Sequence, residues 1–206
     1  MRLSLRDARF EPLRIPIYNA REAALALARC RSPGPLAALA YPSLDGPLLD
    51  ALGRWRATGD PYALDSLVGW GPGSTPTGDD LLLGVLVAAR AMSGVSPIAR
   101  CDARRARQLL RGTRLSERTP TPSAQALAAA LEGAAHEAAI RLAVALGRAG
   151  AQRDVDRAAS RLATLGASSG ACQLFGISTA LRRFAAAGRP LRDGTRISWY
   201  SLSQIG

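Results

Sequence analysis

Apolar residues recur at steps of three and four through most of this chain, and that spacing places them on one face of an α-helix. The pattern predicts helices over residues 20–30, 45–56, 61–67, 79–92, 100–111, 123–148, 154–165 and 170–187. The stretch 79–92 has almost no polar face, so it is predicted to lie buried at the centre of the fold. The stretch 100–111 is rich in arginine and is predicted at the surface.

Two short strands complete the prediction. Residues 13–18 (LRIPIY) alternate in polarity, although Pro16 confines such a strand to a sheet edge. Residues 196–202 (RISWYSL) form the second strand, which can pair with the first. The expected fold is therefore mainly α, a single-domain helical bundle with two short terminal strands that can pair.

The composition also favours one helical domain. The chain is 48% hydrophobic and only 5% aromatic, with Ala and Leu, the strongest helix formers, most frequent. Its 206 residues can bury one substantial core without a second domain. We predict a single domain over 1–206, with a helical N-terminal region at 1–60, a core at 61–190 and a C-terminal strand region at 191–206.

The net charge of +11 is carried by arginine alone, because the chain contains no lysine. Arginine binds phosphate and carboxylate groups through paired hydrogen bonds, and a basic surface can attract nucleic acid. The arginines are scattered, however, and they form no basic tail with interleaved aromatic residues. Composition therefore argues against nucleic acid as the partner.

Cysteine, histidine and hydropathy patterns limit the other function classes. Cys30, Cys101 and Cys172 are too few for a disulfide framework, and a single histidine gives no zinc-ligand spacing. The sequence contains no signal-peptide pattern and no run of the roughly 20 apolar residues that span a bilayer. We expect a cytoplasmic protein with no membrane partner and no cofactor.

The segment 71–80 (GPGSTPTGDD) is the strongest candidate for a functional site. Gly71 and Gly73 permit positive φ and close approach to a ligand, while two prolines stiffen the turn. The hydroxyl groups of Ser74 and Thr75 add hydrogen-bonding capacity. This combination favours a functional turn over a purely structural one.

The start of the following helix supports an anion site. Thr77 suits the N-cap position, so Gly78, Asp79 and Asp80 would form the first turn, whose amide hydrogens lack partners inside the helix. Such an end binds anions. A capping box formed by Thr77 and Asp80 is the structural alternative.

A weaker copy of this motif occurs later in the chain. Thr77-Gly78, Leu82 and Gly84 recur with the same spacing as Ser169-Gly170, Leu174 and Gly176. Glycine inside a helix costs roughly 1 kcal/mol relative to alanine and is usually tolerated for close packing, so the two helices are predicted to cross at Gly84 and Gly176. Both N-termini would then face one pocket containing four hydroxyl groups, from Thr75, Thr77, Ser168 and Ser169. Chance recurrence in an Ala/Gly/Leu-rich chain is the alternative.

The stretch GPGSTPTGDDLLLG resembles the G-x-G-x-T-P-[ST]-G-D-D signature of the AllH family of bacterial proteins, which includes a subunit of oxamate carbamoyltransferase. Agreement extends over residues 62–182, with Thr119 and Ser123 before a long helix, Gly133 within it, and the second motif at 166–176 (GASSGACQLFG). The resemblance implies a role around oxalurate or oxamate, phosphate and carbamoyl phosphate, in a complex of several subunits.

The second motif departs from the family pattern at two positions. Ala167 and Cys172 stand where the family favours histidine and aspartate. The departures indicate a divergent member whose substrate or activity can differ.

Carbamoyl transfer passes through a tetrahedral centre with oxyanion charge, which positioned amides, hydroxyls and cations can stabilise. The catalytic candidates are Asp79, as a general base or orienting group, and Asp80, with a more structural role. Either can contact Mg²⁺, although so few carboxylates do not make a complete metal site. The ligand-binding candidates are Gly71, Gly73, Ser74, Thr75, Thr77, Gly78, Ser168, Ser169 and Gly170.

Four other side chains carry open alternatives. Cys172, near a helix N-terminus, is either a reactive thiol or, in the favoured interpretation, a small core residue. His136 is expected to form a solvated surface pair with Glu132. Arg114 and Arg118 can reach an anionic substrate, although a solvated loop face is the default.

The function predicted from these features is a ligand-binding, catalytic subunit of a carbamoyltransferase-like complex. Its ligands would be oxalurate or oxamate, phosphate and carbamoyl phosphate, or a related small anionic metabolite, and its partners would be the other subunits. A non-catalytic binding or scaffold subunit is the first alternative, so enzymatic activity of this chain stays open. An arginine-rich nucleic-acid binder is the second.

Overall fold

The computed structural model describes residues 10–13, 17, 19–30, 46–147 and 151–187. Within these residues there are ten helices and two short antiparallel strands, which confirms the mainly α fold. In chain order the elements are β1 (Phe10–Pro12), α1 (Ala20–Ala28), α2 (Gly46–Thr58), α3 (Pro61–Asp65), α4 (Thr77–Met92), α5 (Pro97–Arg111), α6 (Leu115–Arg118), α7 (Thr121–Leu131), β2 (Ala134–His136), α8 (Glu137–Gly147), α9 (Gln152–Ala163) and α10 (Ser169–Ala187). The predicted strand at 196–202 lies outside the described residues.

Side-chain caps determine where several helices begin. The Asn19 side chain accepts hydrogen bonds from the backbone amides of Arg21 and Glu22, which lie in the first turn of α1 and lack helical partners. Asp60 caps α3 and Ser96 caps α5 in the same way, and each cap is followed directly by a proline at the first helical position.

Helices α4 and α10 form the centre of the fold. Almost every residue of α4 is buried, as its apolar sequence predicts. A Cβ atom at Gly84 would overlap with the carbonyl oxygen of Gln173, and a Cβ atom at Gly176 would overlap with that of Leu81. The predicted crossing at the two glycines is therefore confirmed, because only glycine lets these backbones come so close.

The predicted continuous helix over 123–148 is wrong, because a turn and a strand interrupt it. Gly133 adopts φ of +84°, a left-handed conformation that ends α7 and that other residues rarely adopt. Strand β2 follows directly and pairs antiparallel with β1, with Phe10 opposite His136. The first strand thus lies ahead of the predicted range 13–18, and its partner lies in the middle of the chain.

The stretch between the predicted helices 100–111 and 123–148 contains a short helix. Helix α6 occupies part of this stretch, and α7 begins at Thr121, two residues before the predicted start, with Pro120 in the N-cap position. In the described part of the chain, no helix has the length and apolar content needed to cross a membrane.

Candidate functional site

The first glycine-rich turn has the backbone conformation that its sequence predicts. Gly71 and Gly73 adopt φ of +114° and +92°. Helix α4 begins one residue earlier than expected, so Pro76 occupies the N-cap and the predicted Thr77 cap is wrong. The Gly78 amide donates to the Trp70 carbonyl oxygen at 2.8 Å, so the turn itself uses this amide.

The second glycine-rich turn, which leads into α10, has the same arrangement as the first. The Gly170 amide donates to the Leu165 carbonyl oxygen at 3.0 Å. A Cβ atom at Gly170 would overlap with the carbonyl oxygen of Leu162, just as one at Gly78 would overlap with that of Leu67. The sequence repeat is therefore a structural repeat, in which each glycine lets its helix pack closely against the backbone before it.

The two turns meet through a pair of hydroxyl groups. Thr75 Oγ1 and Ser169 Oγ lie 3.0 Å apart and share a hydrogen bond. Since the same helices also cross at their internal glycines, α4 and α10 run in the same direction with both N-termini at one end. Ser74 is exposed and Ser168 is half-buried, and no hydrogen bond joins either side chain to this contact in the described residues.

Asp79 is fully buried and links three segments of the chain. Its Oδ1 accepts a hydrogen bond from the Gly69 amide at 2.8 Å, and its Oδ2 accepts one from the Thr119 hydroxyl. Burial raises the pKa of Asp79, while Thr119, Gly69, the Ser123 hydroxyl and the charge of Arg118 each lower it. Both carboxylate oxygens of Asp79 are thus occupied within the protein.

Asp80 is 1% exposed and has a different environment. Its Oδ1 accepts a hydrogen bond of 3.4 Å from Gln173 Nε2, whereas its Oδ2 has no hydrogen-bond partner among the described residues. Burial raises the pKa of Asp80 to about 7, against the lowering effects of the Ser169 hydroxyl and Gln173, and the charge of Asp79 raises it further. An unpartnered buried carboxylate oxygen is costly, and buried groups with a strongly raised pKa cluster at functional sites.

His136 lies behind this carboxylate and not on the surface. It is 4% exposed, and its Nε2 is 2.6 Å from Gln173 Oε1. The predicted pair with Glu132 is wrong, because strand β2 turns His136 inward while Glu132 forms ion pairs with Arg107 and Arg111. Burial lowers the pKa of His136, so the neutral form is favoured.

The profile of a protein family described as Oxamate carbamoyltransferase subunit AllH matches residues 67–181, which is more than half of the chain. The chain belongs to the AllH family. The match includes both glycine-rich turns, helix α4, the first two thirds of its partner α10, and the residues around Asp80. No curated protein and no solved structure matches the chain.

Three side chains of this AllH-family protein that were candidates for chemistry or substrate contact are instead buried in the core or paired with other residues. Cys172 is buried in the core, and burial followed by the charge of Asp80 raises the pKa of its thiol to about 12, which disfavours a reactive thiolate. Arg118 donates to the Asp65 carboxylate at 2.6 Å, so it ties α6 to α3. Arg114 pairs with Glu117 at the surface.

Sequence reasoning missed Gln173 and did not assign a role to Thr119. Gln173 is the polar side chain in the otherwise apolar stretch ACQLFG, and a buried amide on a core-facing helix was the signal available. No three His, Cys, Asp or Glu side chains in the described residues come together as a metal site requires.

Proposed function

We propose that this chain is the ligand-binding, catalytic subunit of a carbamoyltransferase-like complex. Its ligands would be oxalurate or oxamate, phosphate and carbamoyl phosphate, or a closely related small anionic metabolite. Membership of the AllH family supports the reaction class. The observation that carries the proposal is the buried Asp80 with one free carboxylate oxygen, beside the hydroxyl contact that joins the two turns.

The groups around Asp80 suit a carbamoyl group. A carbamoyl NH₂ is a hydrogen-bond donor, and the Oδ2 atom of Asp80 is an acceptor in need of one. The hydroxyl of Thr75 can donate to the carbamoyl oxygen once its hydrogen bond with Ser169 opens, while the Ser169 hydroxyl, which lowers the pKa of Asp80, stays beside that carboxylate. The anionic end of the ligand would then lie toward the exposed part of the turn, around Gly73.

Asp80 also has the acidity that proton transfer near neutral pH requires. A carboxyl group with a pKa of about 7 is present in both its protonated and its ionised form at that pH. It can therefore accept a proton from the attacking amine and return one to the leaving group. The contacts favour Asp80 for this role and Asp79 for support, the reverse of the division that the sequence favours.

The surface beside the turn suits a partner subunit. Trp70 is 42% exposed and directly precedes Gly71, and Tyr62 on α3 is 69% exposed. Exposed aromatic side chains are enriched at protein interfaces. We expect the other subunits of the complex to cover these residues and to complete the site.

Thermal denaturation of the purified chain tests the proposal. Carbamoyl phosphate, oxamate or inorganic phosphate should raise the melting temperature, because a ligand that binds only the folded state stabilises it. Asp80→Asn should abolish this rise. Ser93→Ala, which removes a hydroxyl hydrogen bond beyond the opposite end of α4, should keep it.

The proposal fails if none of the three compounds stabilises the wild-type chain, alone or with its partner subunits. Equal stabilisation of the wild type and Asp80→Asn would move binding to another site. Stabilisation without turnover in the reconstituted complex would leave the alternative of a non-catalytic binding subunit.

A further inference from the structure

A buried chain of side chains connects Asp80 to strand β2. His136 Nδ1 accepts a hydrogen bond from the Ala139 amide at 3.4 Å, so Nδ1 carries no proton in the neutral ring. His136 Nε2 then carries the proton and donates it to Gln173 Oε1 at 2.6 Å. This fixes the orientation of the Gln173 amide, whose Nε2 donates to Asp80 Oδ1.

The backbone amide of Ala139 determines the direction of the hydrogen bonds that link His136, Gln173 and Asp80. The orientation of an isolated glutamine amide is ambiguous, but here the donor from His136 must face Oε1 of Gln173. Gln173 and His136 are 1% and 4% exposed, so water does not compete for these bonds. The carboxylate of Asp80 is thereby held from its Oδ1 side, opposite its free oxygen.

We propose that Gln173 and His136 are positioning residues, which hold Asp80 Oδ1 so that the free Oδ2 faces the ligand of the two turns. The inference rests on the proposed function, since it assigns these residues to the same site. Gln173 and His136 do not touch the ligand themselves. A polar cluster with a purely structural role would be expected to satisfy both carboxylate oxygens, as the partners of Asp79 do.

The single histidine of the chain makes the inference directly measurable. In ¹⁵N-labelled protein, the His136 ring signals should show protonated Nε2 and unprotonated Nδ1. Addition of carbamoyl phosphate or oxamate should shift the Nε2 signal in the wild type, because a hydrogen bond at Oδ2 changes the charge on Oδ1 and is transmitted through Gln173. The shift should be absent in Asp80→Asn.

Calorimetric titration of three variants provides the second arm. Gln173→Met removes the polar link at similar volume, and we expect ligand affinity to fall at least tenfold while the chain remains folded. His136→Phe should weaken binding in the same direction, and His136→Gln, which retains a donor at the position of Nε2, should restore part of it. Near-ultraviolet circular dichroism checks that each variant is folded.

The outcomes separate the inference from the proposed function. Wild-type affinity in Gln173→Met and His136→Phe, with an Nε2 signal that ligand does not shift, overturns the positioning role and leaves the function intact. The opposite histidine tautomer also overturns it. A wild-type chain that binds none of the compounds overturns the function and the inference together, a pattern that the first two outcomes cannot produce.

Discussion

The turns before α4 and α10 share one packing arrangement but differ in chemistry. Each places a glycine, Gly78 or Gly170, against the backbone that precedes its helix, and each helix crosses the other at an internal glycine. At equivalent positions, however, Asp80 of the first helix corresponds to Cys172 of the second.

This difference shows that the residues that pack the two helices together are distinct from those that provide the polar groups of the site. The glycines determine how closely the two helices approach, and they are present in both halves. The buried carboxylates occur in the first half alone, while the second half contributes Ser169 and Gln173 as supporting groups. The site is therefore one-sided, although the scaffold that holds it is nearly symmetric.

The largest expected effect comes from removing the shared packing. Gly84→Ala and Gly176→Ala should each destabilise the protein by about 4 kcal/mol or more, because the new methyl group would overlap with backbone that cannot rotate away. Urea denaturation measures both. Gly53→Ala in α2 is the matched control, since nothing lies within 4 Å of its Cβ position, and it should be neutral or stabilising. If Gly84→Ala were as neutral as Gly53→Ala, the close crossing of α4 and α10 would be contradicted.

Replacement of Asp79, whose carboxylate oxygens both accept hydrogen bonds, should have the next largest effect on stability. Asp79→Ala leaves the Gly69 amide and the Thr119 hydroxyl without their acceptor in a buried site, and we expect a loss of about 3 kcal/mol. Chemical denaturation at pH 8 measures the loss. A change under about 1 kcal/mol would show that Asp79 does not link these segments.

Asp80→Asn should stabilise the protein, unlike Asp79→Ala, and the size of this effect should depend on pH. The folded state raises the pKa of Asp80 from 3.8 to about 7, so the favourable contribution of the protonated group is fully present below pH 3.8 and is lost as the pH rises to 7. The variant avoids this loss and should therefore be more stable than the wild type at pH 8. The advantage should shrink toward pH 4.

Denaturation curves of both proteins from pH 4 to pH 8 provide the measurement. His136 works in the other direction, because its lowered pKa makes the folded state lose stability as the pH falls below the ordinary histidine range. Both proteins contain His136, so the difference between them isolates Asp80. A difference that does not vary with pH would rule out the raised pKa.

The smallest effect should come from the contact between the two turns. Thr75→Val and Ser169→Ala each remove one half-buried hydrogen bond, and we expect a coupling energy of about 1 kcal/mol in a double-mutant cycle. Thr75→Val with Ser93→Ala is the control pair, which should show no coupling because Ser93 lies beyond the far end of α4. A coupling energy of zero between Thr75 and Ser169 would show that their hydrogen bond does not link the two turns.

Most of the fold could be predicted from the sequence, because apolar periodicity and glycine spacing are local signals. The buried helix α4 and its crossing with α10 at Gly84 and Gly176 follow from such signals. The break at Gly133 could not be recognised in the same way, since glycine inside a helix pattern also fits close packing.

The site was predicted only in part, for a related reason. The two turns and both aspartates were identified from residues adjacent in sequence. The link from Asp80 through Gln173 to His136 depends on strand β2, whose pairing with β1 spans most of the chain length. Long-range pairing of short strands leaves no periodic signal, so the sequence alone predicts a surface position for His136.

A crystal structure of the chain with carbamoyl phosphate tests the central claim most directly. We predict ligand density between Thr75 and Ser169, with a hydrogen bond from the carbamoyl nitrogen to Asp80 Oδ2. Density in another cavity, with the Thr75–Ser169 contact closed, would contradict the claim. The clearest such alternative is the cavity of about 360 Å³ whose lining includes four arginines, Arg90, Arg100, Arg104 and Arg107.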